Sequence, residues 1–379
     1  MEEHQKPVMY IIYSLFLSEE GDKQVIGGIQ KYILGLIKVF NKSYNVIIIQ
    51  KANRTFVKEF EDYKVLGFNI QSKRKPGKEL FIKIKAKLKS SDYIIWASDR
   101  ISVKTKHKNT ISIQHGITFD FIDYSNIRIG SLLKEFLLLS IFYRILQQFS
   151  ALKYFSRTTK VVCVDYNYLN WIRVVLPRKI TDKAVVIPNF SELPKLSLIT
   201  PPAETIKILF ARRFVDYRGV YILCEVIESI LKKYDNIEFG VYGEGPLENY
   251  LIEKVGNYDN VTISSYNAEN SLEIQLKYNI SLIPTFGSEG TSLSLIESMA
   301  CGCVPIASNV GGMTNVIIDE YNGFLVNPTT KEFCEKIEFL IDNDSEMRKM
   351  SKNARATIEN GFSFQKWQKK WQEVIKVRA

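Results

Sequence analysis

Two carboxylates eight residues apart are the most informative feature of the chain. Glu289 lies in a run of glycine and small hydroxyl residues, and Glu297 follows it within a predicted helix. Eight residues are close to two helical turns, so both carboxylates can face one ligand. Backbone N–H groups between them can approach a ligand closely, because glycine and small side chains leave the backbone open. This arrangement is typical of a diphosphate held at the N-terminus of a helix.

A pair of arginines is the second candidate. Arg213 and Arg218 follow the strand predicted over 206–210 and precede Gly219, which opens the next predicted helix. Guanidinium groups suit phosphate oxygens because they are planar and donate two hydrogen bonds at once. A solvated loop would explain the pair if it stood alone. Together with Glu289 and Glu297 in the same half of the chain, the pair favours phosphate binding.

Three further motifs carry weaker signals. Gly243-Glu244-Gly245-Pro246 ends a predicted strand, where a tight turn explains it as well as a nucleotide site does. Gly27-Gly28 precedes a predicted helix and either approaches a ligand or forms a turn. His115 is one of three histidines and stands at the carboxyl end of a predicted strand, where ligands bind in parallel sheets. Its alternative is a structural role.

The elements that must position these residues alternate along the chain. Short apolar runs alternate with segments of helical periodicity, which predicts parallel sheets covered on both faces. Prolines between 188 and 202 indicate a linker. We therefore predict an α/β protein of two Rossmann-like, doubly wound domains facing a cleft, over 1–188 and 189–361. The segment 81–89 alternates Lys with apolar residues, as a surface strand would, but its place between strands favours a helix.

The predicted elements are spread over both halves. The predicted strands are 8–13, 45–50, 64–69, 93–96, 110–114, 161–164, 184–187, 206–210, 237–242, 260–263, 279–283, 304–307 and 324–326. The predicted helices are 27–40, 131–154, 219–233, 246–254, 270–277, 291–300, 330–342 and 345–359, with a last helix from about 362.

Composition narrows the class of protein. Five cysteines are few and odd in number, which argues against a disulfide scaffold. No positively charged leader precedes the apolar run 8–17, and no run is long enough for a spanning helix, so we expect a cytoplasmic protein. Cys301 and Cys303 have no companion metal ligands, and Asp342-Asn343-Asp344 suits a turn between helices. We therefore predict no metal site.

Charge is unevenly distributed between the two halves. Residues 1–188 contain 31 Lys and Arg against 16 Asp and Glu, whereas 189–379 contain 20 against 25. Basic residues cluster between 73 and 89. The apolar segment 128–157 is either a helix packed in the first domain or a surface helix on a membrane. Because nucleic-acid-binding motifs are missing from the sequence, we expect an anionic membrane surface, not nucleic acid, as the partner of this half.

Together these motifs resemble glycosyltransferase family 4, a group of retaining enzymes with the GT-B fold. The resemblance is carried by five motifs that cover almost all of the second half. They are Arg213 to Arg218-Gly219, Gly243-Glu244-Gly245-Pro246, Glu289 with Glu297, Gly311-Gly312, and Tyr321-Asn322-Gly323-Phe324. The first half matches through Gly27-Gly28, His115-Gly116 and 186–189.

The resemblance implies a role for each candidate. Glu297 would hold the ribose hydroxyls of a nucleotide, and Glu289 and His115 would contact the donor sugar. Arg213 and Arg218 would neutralise charge on the leaving group. Contacts with the donor nucleotide or its diphosphate would come from Gly28, Gly243, Glu244, Gly290, Thr291, Ser292 and Leu293. No cofactor or metal would be required.

The chain departs from the family pattern at three places. Arg218 stands where lysine is usual, and Arg212 takes the place of a common glycine. Thr291-Ser292 replaces a more frequent Phe-Gly, which leaves the donor sugar open.

The implied activity is hexosyl transfer from a nucleotide-diphosphate sugar to a glycan or lipid-linked acceptor. The first domain would bind the acceptor, and 362–379 would cross back onto it. Bacterial lipopolysaccharide O-antigen or capsule synthesis is the expected setting, at the inner face of the cytoplasmic membrane. The alternatives are a nucleotide-sugar epimerase or phosphorylase of the same fold, and a binding protein without turnover. A phosphorylase is disfavoured because no lysine lies in a cofactor-anchoring motif.

Overall fold

The computed structural model describes residues 6–376, except 26, 71–74, 118, 123–126, 128–129, 196–204, 266–269 and 288. The predicted basic cluster therefore lies partly outside the described residues, and the linker prolines Pro201 and Pro202 both lie outside them. The chain divides into two compact units. The first comprises Met1–His115, Leu138–Ile187 and Gln368–Ala379, and the second comprises Gly116–Leu137 and Pro188–Trp367.

The first unit contains an eight-stranded sheet within its described residues, in the order β3-β4-β2-β1-β5-β6-β7-β8. Neighbouring strands run parallel except β3 and β4. The central strands are almost continuously apolar because helices cover a parallel sheet on both faces. The strands are β1 (Val8–Ile12), β2 (Asn45–Ala52), β3 (Phe56–Glu59), β4 (Tyr63–Asn69), β5 (Tyr93–Trp96), β6 (Thr110–Gln114), β7 (Lys160–Cys163) and β8 (Ala184–Val186).

The second unit contains, over the residues that are described, a six-stranded parallel sheet in the order β11-β10-β9-β12-β13-β14. Its main core joins one face of β9 and β10 to the apolar sides of the helices that cover that face. The strands are β9 (Ile206–Ala211), β10 (Ile237–Tyr242), β11 (Val261–Ser264), β12 (Ile280–Ile283), β13 (Val304–Ser308) and β14 (Phe324–Val326).

Helices fill the crossovers between the strands. Along the chain they are α1 (Gly28–Phe40), α2 (Pro76–Lys85), α3 (Gly130–Glu135), α4 (Leu137–Phe155), α5 (Tyr166–Val175), α6 (Arg178–Thr181), α7 (Val220–Leu231), α8 (Glu248–Val255), α9 (Ser271–Gln275), α10 (Leu293–Ala300), α11 (Thr330–Asp342), α12 (Asp344–Thr357) and α13 (Phe364–Ile375). The amphipathic spacing of α1 is representative: it buries Tyr32, Ile33, Leu36, Ile37 and Phe40 against the sheet. None of the described helices is both long and apolar enough to cross a membrane.

The ambiguous lysine-rich segment 81–89 is helical as far as Lys85, where α2 ends. Pro76 occupies the first turn of α2, where its missing N–H has no cost, and Leu80 and Ile84 are buried one turn apart. Three elements were missed, namely β3, α5 and the four-residue helix α6. The antiparallel edge strand β3 is short and half-polar, and α5 depends on Asp165, whose carboxylate accepts a hydrogen bond from the N–H of Tyr168 at 3.0 Å. The helix predicted over 131–154 is two helices, α3 and α4.

The residues of the last helix, α13, are divided between the two units. Trp371 is fully buried in the first unit and donates a hydrogen bond from Nε1 to the hydroxyl of Tyr32 at 3.0 Å. Phe364 and Trp367 pack on Phe190 in the second unit. Residues 116–137 group with the second unit, whereas the sequence prediction placed them in the first domain.

Candidate functional site

The candidate residues of the second unit gather where β9 and β12 end. These strands are parallel neighbours, paired at Ile208 with Ile280 and at Leu209 with Ser281. From β9 the chain builds β10 and β11 on one side of the sheet and then returns to place β12 on the other. The loops after β9 and β12 therefore separate at a point where open α/β sheets bind ligands.

The first loop buries Arg212 and exposes Arg213. The backbone stays extended past the end of β9, so successive side chains point to opposite sides. Arg212 and Phe214 are buried, and Arg213 is exposed. Burial of a side chain such as Phe214 contributes about 1.5–3 kcal/mol, which holds this register in place. Arg212, and not Arg213, is therefore the arginine that this loop turns inward.

The Gly243 turn holds the backbone of Arg212. The N–H of Arg212 donates to the carbonyl of Tyr242 at 2.9 Å, and the N–H of Phe214 donates to that of Glu244 at 2.9 Å. A Cβ on Gly243 would lie 1.9 Å from the Arg212 carbonyl oxygen, so a side chain would push this loop away. The Glu244 side chain is exposed. The turn thus positions the arginine through its backbone.

Arg218 is positioned through its neighbour Tyr217. Its guanidinium lies 5.0 Å from the ring centre of Tyr217, within range of a cation–π contact. The carbonyl of Tyr217 accepts hydrogen bonds from the Thr285 hydroxyl at 2.9 Å and the Phe286 N–H at 3.0 Å, which ties the loops after β9 and β12 together. Gly219 follows with φ of +80°, and a Cβ there would lie 1.9 Å from the Pro284 carbonyl oxygen.

Arg212 and Arg218 converge on Glu289. Nη2 of Arg212 donates to one carboxylate oxygen, and Nη1 of Arg218 donates to the other. The side chains of Arg212, Glu289 and Arg218 are 4%, 16% and 20% exposed. Burial raises the pKa of Glu289, but the two guanidinium charges and their hydrogen bonds outweigh it and lower the pKa to about 2. The three groups carry one net positive charge, which suits an additional anion.

Glu297 lies in the second turn of α10 and is also buried. One of its carboxylate oxygens, Oε2, accepts hydrogen bonds from the Ser271 hydroxyl at 2.6 Å and from Nε2 of Gln275 at 2.9 Å. Nε2 of Gln275 also donates to the Ser271 hydroxyl at 2.9 Å. The thiol of Cys303 donates to the Gln275 carbonyl at 3.4 Å and so joins α9 to the end of α10. Glu297 is therefore held from the side by α9.

The segment predicted to cradle a diphosphate begins against the Gly311 turn. The N–H of Gly312 donates to the carbonyl of Glu289 at 2.8 Å, and α10 begins at Leu293, two residues after the predicted start. The buried Thr291 hydroxyl accepts a hydrogen bond from the N–H of Asn189 at 2.8 Å. Thr291 therefore anchors the residues that follow the first unit.

His115 and Gly28 lie in the first unit. His115 follows β6, and its Nε2 lies 2.7 Å from the carbonyl of Ala97, so Nε2 carries the proton. Burial lowers the pKa of His115 to about 4, so the imidazole is neutral at physiological pH. Gly28 is the exposed first residue of α1.

Sequence reasoning missed Arg212, Ser271 and Gln275. A signal for Arg212 was present: Phe210 and Phe214 flank it at two-residue intervals, which places it on their side of the chain. No comparable signal marks Ser271 and Gln275, because their partner lies 22 to 26 residues away on another helix. Among the described residues no three His, Cys, Asp or Glu side chains form a metal-binding group.

A comparison with known protein families matches the part of the chain that contains these residues. Residues 199–357 match the family described as glycosyl transferases group 1. This region contains the Arg212–Glu289–Arg218 cluster and Glu297.

The curated relatives are similar at modest identity. An uncharacterized glycosyltransferase of Methanocaldococcus jannaschii is 28% identical over 222 residues, which are 56% of this chain and 57% of the relative. The poly(ribitol-phosphate) alpha-N-acetylglucosaminyltransferase of Staphylococcus aureus is 26% identical over 57% of this chain and 46% of its own length. The capsular polysaccharide biosynthesis glycosyltransferase CapM of the same organism is 27% identical over 41% and 42%. The chain therefore spans about half the length of these relatives.

Solved structures resemble the fold along its whole length. Sucrose-phosphate synthase from Thermosynechococcus elongatus aligns with a TM-score of 0.74 and 16% identity, covering 98% of both chains. HepE from Anabaena, solved in complex with UDP and glucose, aligns with a TM-score of 0.69 and 14% identity, covering 99% of this chain and 100% of HepE. The chain has the GT-B fold, which confirms the predicted fold class.

Proposed function

We propose that the protein is a retaining glycosyltransferase that moves a sugar from a nucleotide-diphosphate sugar to a glycan or lipid-linked acceptor. The observation that carries the proposal is the largely buried cluster of Arg212, Arg218 and Glu289, with one net positive charge, at the carboxyl ends of β9 and β12. Its net charge and position suit a diphosphate better than a neutral ligand. The match of residues 199–357 to a glycosyltransferase family supports the same class.

Each group in the cluster has a distinct task in the proposed reaction. The bond between the sugar's anomeric carbon and the diphosphate oxygen breaks, and negative charge grows on the leaving diphosphate. Arg212 and Arg218 are already fixed by backbone contacts and stabilise that charge without reorganising. They supply the positive charge that a metal ion would otherwise provide, so we propose that the reaction needs no metal.

The acceptor hydroxyl attacks the same face of the sugar from which the nucleotide leaves. A bond forms between the anomeric carbon and the acceptor oxygen, and the acceptor proton passes to an oxygen of the leaving phosphate. Glu289 stays ionised, since its pKa is about 2, and we assign it to positioning the donor sugar and stabilising positive charge on the ring. It does not serve as a general acid near neutral pH.

Glu297 and His115 complete the proposal. With Oε2 held by α9, Glu297 presents a fixed carboxylate to the ribose hydroxyls of the donor nucleotide. His115 is neutral and acts as a hydrogen-bonding group toward the sugar. Of the predicted backbone contacts, we keep Gly28 and Gly290 to Leu293 for the diphosphate and give Gly243 the task of positioning Arg212.

The proposed setting is the synthesis of a bacterial cell-surface polysaccharide, such as a capsule or an O-antigen. The named S. aureus relatives act on poly(ribitol-phosphate) and in capsular polysaccharide biosynthesis, which supports this class of acceptor. The excess of Lys and Arg in residues 1–188 favours a position at the anionic inner face of the cytoplasmic membrane.

The test begins with thermal stabilisation of the purified protein by a panel of UDP-, GDP- and dTDP-sugars. The stabilising donor is then followed for hydrolysis and transfer by wild type and by Glu289→Ala, with Glu253→Ala on the exposed side of α8 as a control. We expect Glu289→Ala to lose turnover and Glu253→Ala to keep it. Equal turnover in wild type and Glu289→Ala would reject the site. Epimerised nucleotide sugar without transfer would instead identify an epimerase, and stabilisation without any product would identify a binding protein.

A further inference from the structure

Helix α4 exposes an apolar stripe to solvent. Leu138, Phe142, Ile145 and Phe149 are 82%, 59%, 43% and 64% exposed. Their spacing of four, three and four residues places them on one face of the helix. Packing in the core, one of the two interpretations of 128–157, therefore does not describe α4, because its large apolar side chains point outward.

The opposite face of α4 is the polar one. Ser140 is buried, and Arg144, Gln147 and Gln148 are half-buried. A helix on the surface of a globular protein turns its apolar face inward and its polar face to water. In α4 this arrangement is reversed, so folding of this chain alone leaves the apolar stripe unburied. An exposed patch of this kind marks a surface that binds something else.

Helices α5 and α6 extend the surface. The hydroxyl of Tyr168 on α5 donates to the carbonyl of Ala151 on α4 at 3.4 Å, so the two helices are in contact. Val174 is 87% exposed and Ile180 is 48% exposed. Exposed cations accompany these apolar residues: Lys153, Arg173, Arg178 and Lys179. The sequences of α4, α5 and α6 contain no Asp or Glu.

We propose that α4 lies in the headgroup region of an anionic lipid bilayer, with its apolar stripe inserted and the cations of α4 to α6 at the level of the lipid phosphates. The charge pattern decides between a bilayer and a second copy of the chain. A second copy would bring the same cations against themselves, whereas anionic headgroups complement them. Since α4 is not long and apolar enough to cross a bilayer, it lies on the surface.

This inference refines the membrane position that forms part of the proposed function, and it depends on neither the donor nor the acceptor. The test uses flotation of the full-length protein with vesicles of phosphatidylcholine, with or without phosphatidylglycerol, at low salt. The variant is Leu138→Gln, Phe142→Gln and Phe149→Gln combined. Because these side chains are exposed, we expect the variant to fold and its partition coefficient to fall by about tenfold or more.

Two matched variants separate the apolar and charged contributions. Val57→Gln, Ile252→Gln and Ile318→Gln combined remove three exposed apolar side chains elsewhere (62%, 48% and 62% exposed), and we expect vesicle binding to stay unchanged. Lys153→Gln with Lys179→Gln should weaken binding to anionic vesicles by about fivefold per lysine and leave binding to neutral vesicles unaffected.

Three results would overturn the inference. They are failure of the wild type to float with anionic vesicles, equal loss of binding in the matched apolar control, and sedimentation showing a wild-type dimer that the α4 variant dissociates. Hydrolysis of the nucleotide sugar in solution is measured in parallel. Normal hydrolysis together with lost flotation in the α4 variant supports the proposed membrane surface. A wild-type protein that floats but shows no hydrolysis argues only against the transferase proposal.

Discussion

The ion-pair cluster at Glu289 makes a quantitative prediction about stability. Glu289→Gln keeps the shape of the side chain and removes its charge. The pKa of Glu289 falls from 4.5 to about 2 in the folded protein. One pKa unit corresponds to about 1.36 kcal/mol, so the ionised carboxylate contributes on the order of 3 kcal/mol near neutral pH. The group is 16% exposed, so solvent screening reduces this value only in part.

The pH dependence gives the prediction its sign. The folded-state pKa lies below the unfolded value, so the contribution is complete above the unfolded pKa and is lost as the pH falls through the folded pKa. The free energy of unfolding of wild type should exceed that of Glu289→Gln by about 3 kcal/mol near neutral pH. That difference should shrink steadily as the pH falls from 4.5 to about 2.

Urea titrations monitored by circular dichroism measure the difference. The two units can give separate unfolding transitions. The comparison of wild type with Glu289→Gln at each pH therefore uses the unfolding transition that the substitution shifts. Glu244→Gln is the control on the neighbouring turn, and its exposed side chain should change stability by less than about 0.5 kcal/mol. Equal stability of wild type and Glu289→Gln near neutral pH, or a difference that does not depend on pH, would refute the ion-pair cluster.

Three further predictions address other parts of the site. Arg212→Met should lower the free energy of unfolding by about 3–5 kcal/mol in the urea assay and abolish donor binding. Arg213→Met should change the free energy of unfolding by less than about 0.5 kcal/mol and bind the donor normally. The opposite result for the two variants would identify Arg213 as the site residue. Gln275→Leu removes a hydrogen-bond donor to Glu297 and should lower the affinity for nucleotide, measured by calorimetric titration. Gln275→Glu should lower that affinity further. Unchanged affinity in both variants would show that α9 does not position Glu297. The imidazole signals of His115 should titrate near pH 4 by NMR, with wild-type stability declining relative to His115→Gln as the pH falls below 6.5; a midpoint near 6.5 would contradict a buried, neutral ring.

Much of the fold followed from local patterns. The alternation of apolar runs and amphipathic segments predicted nearly every strand and the two-sheet architecture, because burial on both faces of a parallel sheet demands continuous apolar residues. Elements without that pattern were missed. The edge strand β3 is half-polar, and the break between α3 and α4 leaves no mark in an apolar stretch.

The sequence indicated both carboxylates of the candidate site but only one of the two arginines that contact Glu289. Glu289, Glu297 and Arg218 stand out through spacing and neighbouring glycines. The choice between Arg212 and Arg213 depends on which one the extended backbone turns inward, and Phe210 and Phe214 settle that by filling the core. Family spacing pointed to Arg213, and the packing of the core favours Arg212.

The sequence by itself determined the fold class, the glycine-rich loops and the kind of chemistry, since these depend on residue types at short range. Tertiary structure decided three matters that involve residues far apart in the chain. It joined Arg212 and Arg218 to Glu289 across more than 70 residues, it held Glu297 with Ser271 and Gln275, and it turned the apolar face of α4 outward. The physical reason is the same in each case: periodicity shows which residues share a face, and only packing decides what that face meets.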